Sequence, residues 1–225
     1  LAPNTLKSIR EKLLLDWTYN SNAIEGNTLT LIETKVVLEG ITVGGKSLRE
    51  HLEIINHRDA ILYIEEIVQK RELLSEMQIK NIHSLILKGI DDKYAGRYRT
   101  ENVVISGARH IPPQHYLITD QMEAFLLWYW EKGVNLHVVE RAARVHTDFV
   151  KIHPFIDGNG RTARLLLNLE LMKDGFPPLI IRKDERVRYY NSLDKAHTEN
   201  NYDDFLQIVL DELNQSLYLY LRLLD

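Results

Sequence analysis

One segment of the 225-residue chain, His153–Arg164, concentrates side chains that can do chemistry. His153 can accept a proton near neutral pH. Asp157 offers hard carboxylate oxygens, which suit a Mg²⁺ ion that is also held by phosphate oxygens. Arg161 and Arg164 are three residues apart, so both side chains can reach the same anion from the first turn of a helix. A base, a carboxylate and two arginines at this spacing predict a site for phosphoryl or nucleotidyl transfer.

The backbone of the same segment predicts an anion site. Gly158 and Gly160 permit conformations that a Cβ atom forbids, and they let a ligand approach the chain closely. A predicted buried helix follows them, and the free N–H groups at its start point into the loop. We therefore expect a phosphate group to bind between this loop and the helix.

The elements that position this segment are predicted to be helices. Apolar residues recur at helical spacing, and capping-box patterns begin at Thr30 and Ser47. The segment 161–173 carries leucine on nearly every face, which predicts a helix buried at the centre of the protein. Since no repeat or linker interrupts the pattern, we expect one all-α unit. The predicted helices span about 5–25, 30–40, 47–70, 75–89, 119–132, 136–152, 161–173, 184–197 and 202–223.

The stretch 90–116 departs from the helical pattern. A run of β-branched residues is followed by a turn pair, and Pro112 and Pro113 come shortly after it. This order predicts a short β-hairpin with an extended exit. The run and the turn are Val103, Val104, Ile105, Ser106 and Gly107.

The composition excludes several classes of function. Lys and Arg total 28 against 32 Asp and Glu, and the net charge of −4 argues against a nucleic-acid or membrane partner. The absence of cysteine excludes disulfide scaffolds, thiolate zinc sites, iron–sulfur clusters and a cysteine nucleophile. No apolar run approaches the ~20 residues that span a membrane, and the first residues lack the order of a signal peptide. We therefore expect a cytoplasmic protein.

The segment 153–164 resembles the signature of the Fic family, His-Pro-Phe-x-(Asp/Glu)-Gly-Asn-Gly-Arg-x-x-Arg, at all nine specified positions. This resemblance implies an all-α Fic fold, a helical bundle that carries a small β-hairpin flap. Weaker similarity covers about residues 5–210. Within it, Ala95–Arg99, Val103–Gly107 and Ile111–Pro113 resemble the family's flap region, and Tyr189-Tyr190 resembles its aromatic pair beside the nucleotide.

The resemblance implies a protein adenylyltransferase that moves AMP from ATP to a Ser, Thr or Tyr hydroxyl of a target protein or of itself. His153 would deprotonate the hydroxyl, and Asp157 would hold Mg²⁺ on the phosphates. Tyr189 and Tyr190 would line the adenosine pocket, and the flap at 103–107 would bind the target by strand addition. The residues implied to contact ATP or its phosphates are Asp157, Gly158, Asn159, Gly160, Arg161, Thr162, Arg164, Tyr189 and Tyr190.

A second match lies near the N-terminus. The segment SNAIEGN resembles the family's inhibitory motif, (Ser/Thr)-x-x-x-Glu-(Gly/Asn), which implies the class of Fic proteins with an N-terminal inhibitory helix. Ser21 and Glu25 are four residues apart and therefore share one helical face. The resemblance implies that Glu25 pairs with Arg164 and keeps the γ-phosphate away. The implied inhibitory residues are Ser21, Glu25, Gly26 and Asn27.

We accordingly divide the chain into an inhibitory helical segment, 1–45, and a catalytic core, 46–225, within one compact unit. Other functions fit the same residues: removal of AMP, transfer of another nucleotide or phosphoryl group, or ATP binding without turnover. The last is disfavoured because binding alone needs no base at His153. A homodimer is an alternative to a monomer, with the aromatic cluster 128–130 as a candidate contact. We interpret the remaining histidines as structural or surface residues: His51, His57, His83, His110, His115, His137 and His146.

Overall fold

Nine α-helices form the part of the chain that the structure describes. A computed structural model covers residues 1–224 in this sense, and Asp225, the last residue of the predicted core, lies outside the description. The all-α class is confirmed, and the predicted helices are present with ends that differ by a few residues. They are α1 (Pro3–Ile24), α2 (Leu31–Leu38), α3 (Leu48–Lys70), α4 (Glu76–Leu87), α5 (Ile118–Glu131), α6 (Val138–Ile152), α7 (Asn159–Lys173), α8 (Arg186–Glu199) and α9 (Asp203–Leu221).

Local capping explains why the helix starts were predictable. The Thr30 hydroxyl accepts a hydrogen bond from the N–H of Glu33, and the Glu33 carboxylate accepts one from the N–H of Thr30. Ser47 makes the same reciprocal pair at the start of α3. Such caps are worth about 1 kcal/mol each. At the end of α1, Gly26 takes a left-handed φ of +100°, as expected for a residue that stops a helix.

Helix α7 lies at the centre of the protein. Its leucines, Leu165 to Leu167, Leu169 and Leu171, are all fully buried although they point to different sides of the helix. Helices α1, α3, α4 and α6 pack around it. The prediction that this leucine-rich segment is central is therefore confirmed, and the N-terminal end of α7 is held by neighbours on several sides.

Helix α1 shares the core with the rest of the chain. Trp17 and Ile24 are 3% and 0% exposed, and both belong to the same apolar cluster as residues of α6 and α7. The segment 1–45 is thus continuous in packing with the residues that follow it. Its separation from 46–225 as an inhibitory segment is a matter of function and stays a prediction. Within residues 1–224 we find no helix with the length and apolarity needed to cross a bilayer.

The predicted β-hairpin at 103–111 is not formed, since residues 1–224 contain no strand. The turn is present, because the N–H of Ala108 donates to the carbonyl of Ile105 over 3.2 Å. The residues after the turn bond elsewhere: the N–H groups of Arg109 and His110 donate to the Asp194 carboxylate on α8. A two-stranded ribbon is marginal alone. The segment is therefore an extended loop anchored to a helix.

The aromatic cluster 128–130 lies mostly within the monomer. Tyr129 is 2% exposed and donates its hydroxyl to the Glu170 carboxylate on α7. Trp130 is 45% exposed, but its indole N–H donates to the carbonyl of Leu74. The homodimer proposed for this cluster stays a prediction, with Trp130 as its most exposed member.

Candidate active site

The chemistry-bearing segment forms a tight loop between α6 and α7. His153 caps the end of α6 in a left-handed conformation, φ 51° and ψ 58°, which is uncommon for a residue with a Cβ. The Asn159 side chain closes the loop by accepting from the N–H of Phe155 at 3.0 Å and donating to its carbonyl at 2.8 Å. Phe155 is fully buried and anchors the loop in the core. The loop is thereby fixed at both ends.

Arg99 fixes the backbone at His153. Its side-chain Nε donates to the His153 carbonyl, and its backbone N–H donates to the Pro154 carbonyl, each over 2.9 Å. Burial and the positive charge of Arg99 lower the pKa of His153 to about 4. The imidazole is therefore neutral near pH 7 and can accept a proton. The sequence placed Arg99 in the flap-like segment without assigning it this contact.

The start of α7 offers donors for an anion. The first hydrogen bond inside the helix runs from the N–H of Thr162 to the carbonyl of Gly158, so the helix itself does not pair the three N–H groups at 159–161. Helix N-termini of this kind favour negative charge. A Cβ added to Gly160 would overlap the Oε1 atom of Glu25. A side chain at position 160 would therefore displace the Glu25 carboxylate from the helix N-terminus.

The guanidinium of Arg164 is buried and makes four hydrogen bonds. It donates to the hydroxyl and the carbonyl of Ser21, at 3.0 and 2.8 Å, and to Oε1 of Glu25 at 2.7 Å. The fourth bond, from Nη1, goes to the hydroxyl of Tyr189 at 3.2 Å. The structure therefore brings the two segments that the sequence singled out into direct contact.

Arg161 and Asp157 are also paired with residues outside the motif. Arg161 lies 3.4 Å from Oε1 of Glu53 and 3.4 Å from Oδ1 of Asp157. The other carboxylate oxygen of Asp157 accepts from Arg49 at 2.6 Å. Although burial raises the pKa of Asp157, Arg161, the N–H of Gly158 and Arg49 outweigh it and hold this pKa below its usual value. Asp157 is therefore ionised at neutral pH.

The inhibitory-motif residue Asn27 supports this second ion-pair group. Its side-chain amide donates to the Glu53 carboxylate at 2.9 Å, and Glu53 also accepts from Arg49 at 3.1 Å. Arg49 and Glu53 lie on α3, about 100 residues from the motif, and no spacing in the sequence pointed to them. Gly26 only ends α1 and contributes no side chain to the group.

His83 is a further residue that the sequence did not connect with the site. Its Nδ1 accepts from the N–H of Gly96 at 2.9 Å, so its Nε2 donates to the carbonyl of Asp157, also at 2.9 Å. The ring stacks on Phe155 with the centroids 3.6 Å apart. Burial lowers the pKa of His83 to about 4, which keeps the ring neutral. His83 therefore fixes the backbone from which the Asp157 carboxylate projects.

The remaining predicted nucleotide residues differ in accessibility. Tyr190 is 40% exposed and donates its hydroxyl to the carbonyl of Ile24 at the end of α1. Tyr189 is 1% exposed, so its ring offers no open surface to a ligand. Thr162 is fully buried, and its hydroxyl has no hydrogen-bond partner within the described part of the chain. The Asn159 side chain is likewise committed to the loop.

The predicted flap residues lie at the protein surface. Val104 is 80% exposed, and Ser106 and Gly107 are exposed as well, whereas Val103 and Ile105 are half-buried. The end of the flap is attached to α6, because the Nε2 atom of His110 lies 2.8 Å from the carbonyl of Lys151. The segment 103–107 is thus followed, three residues later, by a contact to Lys151, which lies two residues before His153.

Comparison with known proteins yields consistent matches. The model of the Fic/DOC family matches residues 73–171. A protein of Nematostella vectensis named "Protein adenylyltransferase Fic" is 44% identical over 182 residues, which are 80% of this chain and 42% of the relative. The chain thus spans less than half the length of this curated relative. Helices α4 to α7 contain most of the matched residues.

Solved structures match over nearly the whole chain. Fic-1 of C. elegans (residues 134–508) has a TM-score of 0.90 at 33% identity and covers 98% of this chain, which spans 66% of it. A Fic domain containing signaling protein of Bacteroides thetaiotaomicron has a TM-score of 0.84 at 32% identity, with 97% of this chain and 87% of the other covered. These similarities confirm the arrangement of helices predicted from the sequence.

Proposed function

The chain belongs to the Fic/DOC family, and from this premise we propose that it acts as a protein adenylyltransferase. It would transfer AMP from ATP to a Ser, Thr or Tyr hydroxyl of a target protein or of itself. The observation that carries the proposal is the neutral His153 on a loop that leads directly into the free N-terminus of α7. A base beside an anion site is the arrangement that such a transfer needs.

In this reaction the hydroxyl oxygen attacks the α-phosphorus of ATP, and the hydroxyl proton passes to the imidazole of His153. The new bond joins the target oxygen to the α-phosphorus. The bond from the α-phosphorus to the bridging oxygen of the β-phosphate breaks, and pyrophosphate leaves. Because the pKa of His153 is about 4, the free base is already present at neutral pH. The left-handed backbone of His153 and the hydrogen bond from Arg99 to its carbonyl fix the position of this residue.

The N-terminus of α7 and the two motif arginines would hold the phosphates. The N–H groups at 159–161 are directed outward from the helix start, and Gly160 leaves room for an oxygen atom close to the backbone. Arg161 would bind the β-phosphate and Arg164 the γ-phosphate. The half-exposed ring of Tyr190 is suited to contact adenosine, whereas the buried Tyr189 is not.

A Mg²⁺ ion would join ATP at Asp157. No group of three or more His, Asp or Glu side chains within residues 1–224 is arranged to hold a metal alone. Asp157 is a single carboxylate that is ionised and partly exposed. Such a carboxylate suits a Mg²⁺ ion whose other ligands are phosphate oxygens of ATP. When bound, the ion would neutralise charge on the phosphates. His83 would orient Asp157 for this contact, and Arg49 would have to leave it.

We further propose that Glu25 restrains the transfer. Its carboxylate occupies the side of Arg164 that a γ-phosphate would need, and it packs on Gly160 at the helix N-terminus. Ser21 holds the same guanidinium from the preceding turn of α1. An arginine that is paired with a carboxylate is unavailable to a phosphate, so Glu25 and ATP compete for one group.

The flap at 103–107 would bind the target. Residues 103–105 form no ladder with another segment of residues 1–224, and Ser106 and Gly107 form the turn that follows them. A target segment could therefore pair with residues 103–105 as an added strand, with little dependence on the target's own sequence. The cytoplasmic location, the homodimer and the absence of nucleic-acid and membrane partners stay predictions from the sequence.

Labelling with two forms of ATP tests the proposal. The Glu25→Gly variant is incubated with α-³²P-ATP or with γ-³²P-ATP, Mg²⁺ and a cell lysate, and the proteins are separated. We expect label that depends on His153 only from the α-position, so this label should disappear in the Glu25→Gly/His153→Ala variant. Label from the γ-position that comes from kinases of the lysate should be the same in both variants. Label from the γ-position that disappears with His153 would indicate phosphoryl transfer instead. ATP binding without any label would favour the regulator that binds nucleotide without turnover.

A further inference from the structure

The partners of Arg164 come from two different parts of the fold. Three of its four hydrogen bonds go to Ser21 on α1 and to Glu25, the residue that follows α1, and these are the contacts that must loosen when the γ-phosphate enters. The fourth goes to the hydroxyl of Tyr189 on α8. Tyr189 is therefore the one hydrogen-bond partner, among the described residues, that lies neither on α1 nor at its C-terminal cap.

Tyr189 is itself held by His146 on α6. An arginine side chain can only donate, so the Tyr189 oxygen accepts from Arg164 and its own proton points elsewhere. The Nε2 atom of His146 lies 3.0 Å from this oxygen and is the acceptor that the geometry provides. Burial is the main reason that the pKa of His146 is well below its ordinary value, so the ring is neutral and can accept.

Packing keeps this pair rigid. His146 is fully buried, and its ring stacks on Phe205 of α9 with the centroids 4.6 Å apart. Tyr189 is 1% exposed and lies near the same phenyl ring. Neither residue can turn away without opening the core. The direction of the hydrogen bond from Arg164 to Tyr189 is therefore set by the packing of α6, α8 and α9, and not by α1.

We propose that Tyr189 and His146 are a positioning pair for Arg164, which holds its guanidinium in the orientation that receives the γ-phosphate after Glu25 has left. The inference rests on the proposed function, since it explains how Arg164 is oriented in the site proposed for AMP transfer. The chain of bonds runs from Arg164 to Tyr189 to His146, and each bond polarises the next. The pair thus selects nucleoside triphosphates over diphosphates through Arg164.

The inference makes the effect of Tyr189→Phe depend on Glu25. With Glu25 present, Ser21 and Glu25 still hold Arg164, and the loss of one hydroxyl changes little at the guanidinium. In a Glu25→Gly parent, the guanidinium keeps only its two bonds to Ser21 and the bond from Nη1 to this hydroxyl, so the hydroxyl makes up a larger share of its restraint. A hydrogen bond to a charged group is strong enough for its loss to weaken triphosphate binding about tenfold.

Calorimetric titration with α,β-methylene-ATP and α,β-methylene-ADP measures this without turnover, because neither analogue can release pyrophosphate or phosphate at that bridge. The quantity is the affinity ratio of triphosphate to diphosphate in the Glu25→Gly parent with Mg²⁺. We expect Tyr189→Phe and His146→Leu to lower this ratio about tenfold. His146→Gln places an amide oxygen near the Nε2 position and should restore most of it.

Tyr129→Phe is the matched control, because Tyr129 is also buried and also loses a hydrogen bond, to Glu170, but lies away from Arg164. It should leave the ratio unchanged. The inference is overturned if Tyr189→Phe leaves the ratio unchanged, if Tyr129→Phe lowers it equally, or if the parent does not prefer the triphosphate. Failure of the proposed function would give a different result, in which the parent binds the triphosphate selectively but transfers no label from α-³²P-ATP to any protein.

Discussion

The Oε1 atom of Glu25 lies 2.7 Å from Nη2 of Arg164, although 139 residues separate the two along the chain. The arginine side chain is 4% exposed, whereas that of Glu25 is 32% exposed. The arginine of the pair is therefore buried, whereas the carboxylate is partly exposed to solvent. Water can reach the carboxylate without disturbing the core, which makes Glu25 the weaker point of the contact.

Substitution of Glu25 should raise AMP transfer, and the increase should be larger when the side chain is removed together with its charge. Glu25→Gly removes both charge and side chain, and we expect about tenfold or more transfer, because a hydrogen bond between charged groups no longer competes with the phosphate. Glu25→Gln keeps the side chain and should give an intermediate rate. Initial rates of label incorporation from α-³²P-ATP measure both. Equal rates in Glu25→Gly and wild type would contradict the competition.

Transfer should not follow the usual titration of histidine. Since the pKa of His153 is lowered to about 4, the base stays neutral from pH 8 down to about pH 5. We expect kcat/KM of the Glu25→Gly variant to be flat over that range and to fall as the pH approaches 4. His153→Ala should lower kcat by about 10³-fold while analogue binding persists. A midpoint near pH 6.5 would contradict the assignment.

Removal of Arg49 should make Asp157 easier for Mg²⁺ to reach. The Arg49–Asp157 pair is about half exposed on each side, so its loss is worth less than 1 kcal/mol. We expect Arg49→Gln to lower the Mg²⁺ concentration for half-maximal binding of α,β-methylene-ATP two- to fivefold, roughly the range that such a pair allows.

Arg188→Gln provides the control for this measurement. Arg188 pairs with Asp211 across α8 and α9 with similar exposure, but away from the loop. The Mg²⁺ dependence should be the same in Arg188→Gln as in the parent. If Arg49→Gln also leaves it unchanged, Arg49 does not compete with the ion at Asp157.

The protein should lose stability when it is acidified from about pH 6.5 to pH 4. Several buried histidines have a pKa lowered by burial, so the folded state excludes protons that the unfolded state, with a pKa near 6.5, accepts. Their stabilisation is complete above pH 6.5 and is lost as the pH falls. The loss increases as the pH falls further below 6.5, because each ring that is neutral in the folded state binds a proton in the unfolded state. They are His57, His83, His146, His153 and His197.

His197→Asn tests the size of this effect at a residue outside the motif loop. His197 bonds to the carbonyl of Thr147 and has a pKa of about 4. Urea unfolding at pH 7.0, 6.0 and 5.0 should show a smaller decrease of the unfolding free energy with acidity in this variant than in wild type. An identical pH dependence would exclude a contribution from His197.

The helices were predictable because their signals are local. The capping boxes at Thr30 and Ser47 act within one turn, and the leucines of α7 report burial by their own spacing. The hairpin prediction failed because β-branched residues such as Val103 and Val104 carry no information about a pairing partner. There the chain bonds to Asp194 on a distant helix instead.

The candidate site was predictable where it is contiguous in the chain. His153, Asp157 and Arg164 lie in one segment, and their chemistry can be recognised from type and spacing. The contact of Glu25 with Arg164 followed only from the resemblance, since no local rule joins α1 to α7. Arg49 and His83 were missed because their role comes from tertiary packing against the loop, which leaves no pattern in their own neighbourhoods.

The shared core of α1 determines what any release of Arg164 must cost. Removing the whole helix would bring Leu13 and Trp17 into water, at about 2 kcal/mol or more for each side chain. Unwinding only the last turn, from Ser21 to Ile24, would carry Glu25 away and leave those two in place, so that Ile24 would be the one apolar core residue of this turn brought into water. Gly26 already bends the chain just beyond this turn. We therefore expect release of Arg164 to involve the last turn of α1 while the rest of this helix stays packed in the core.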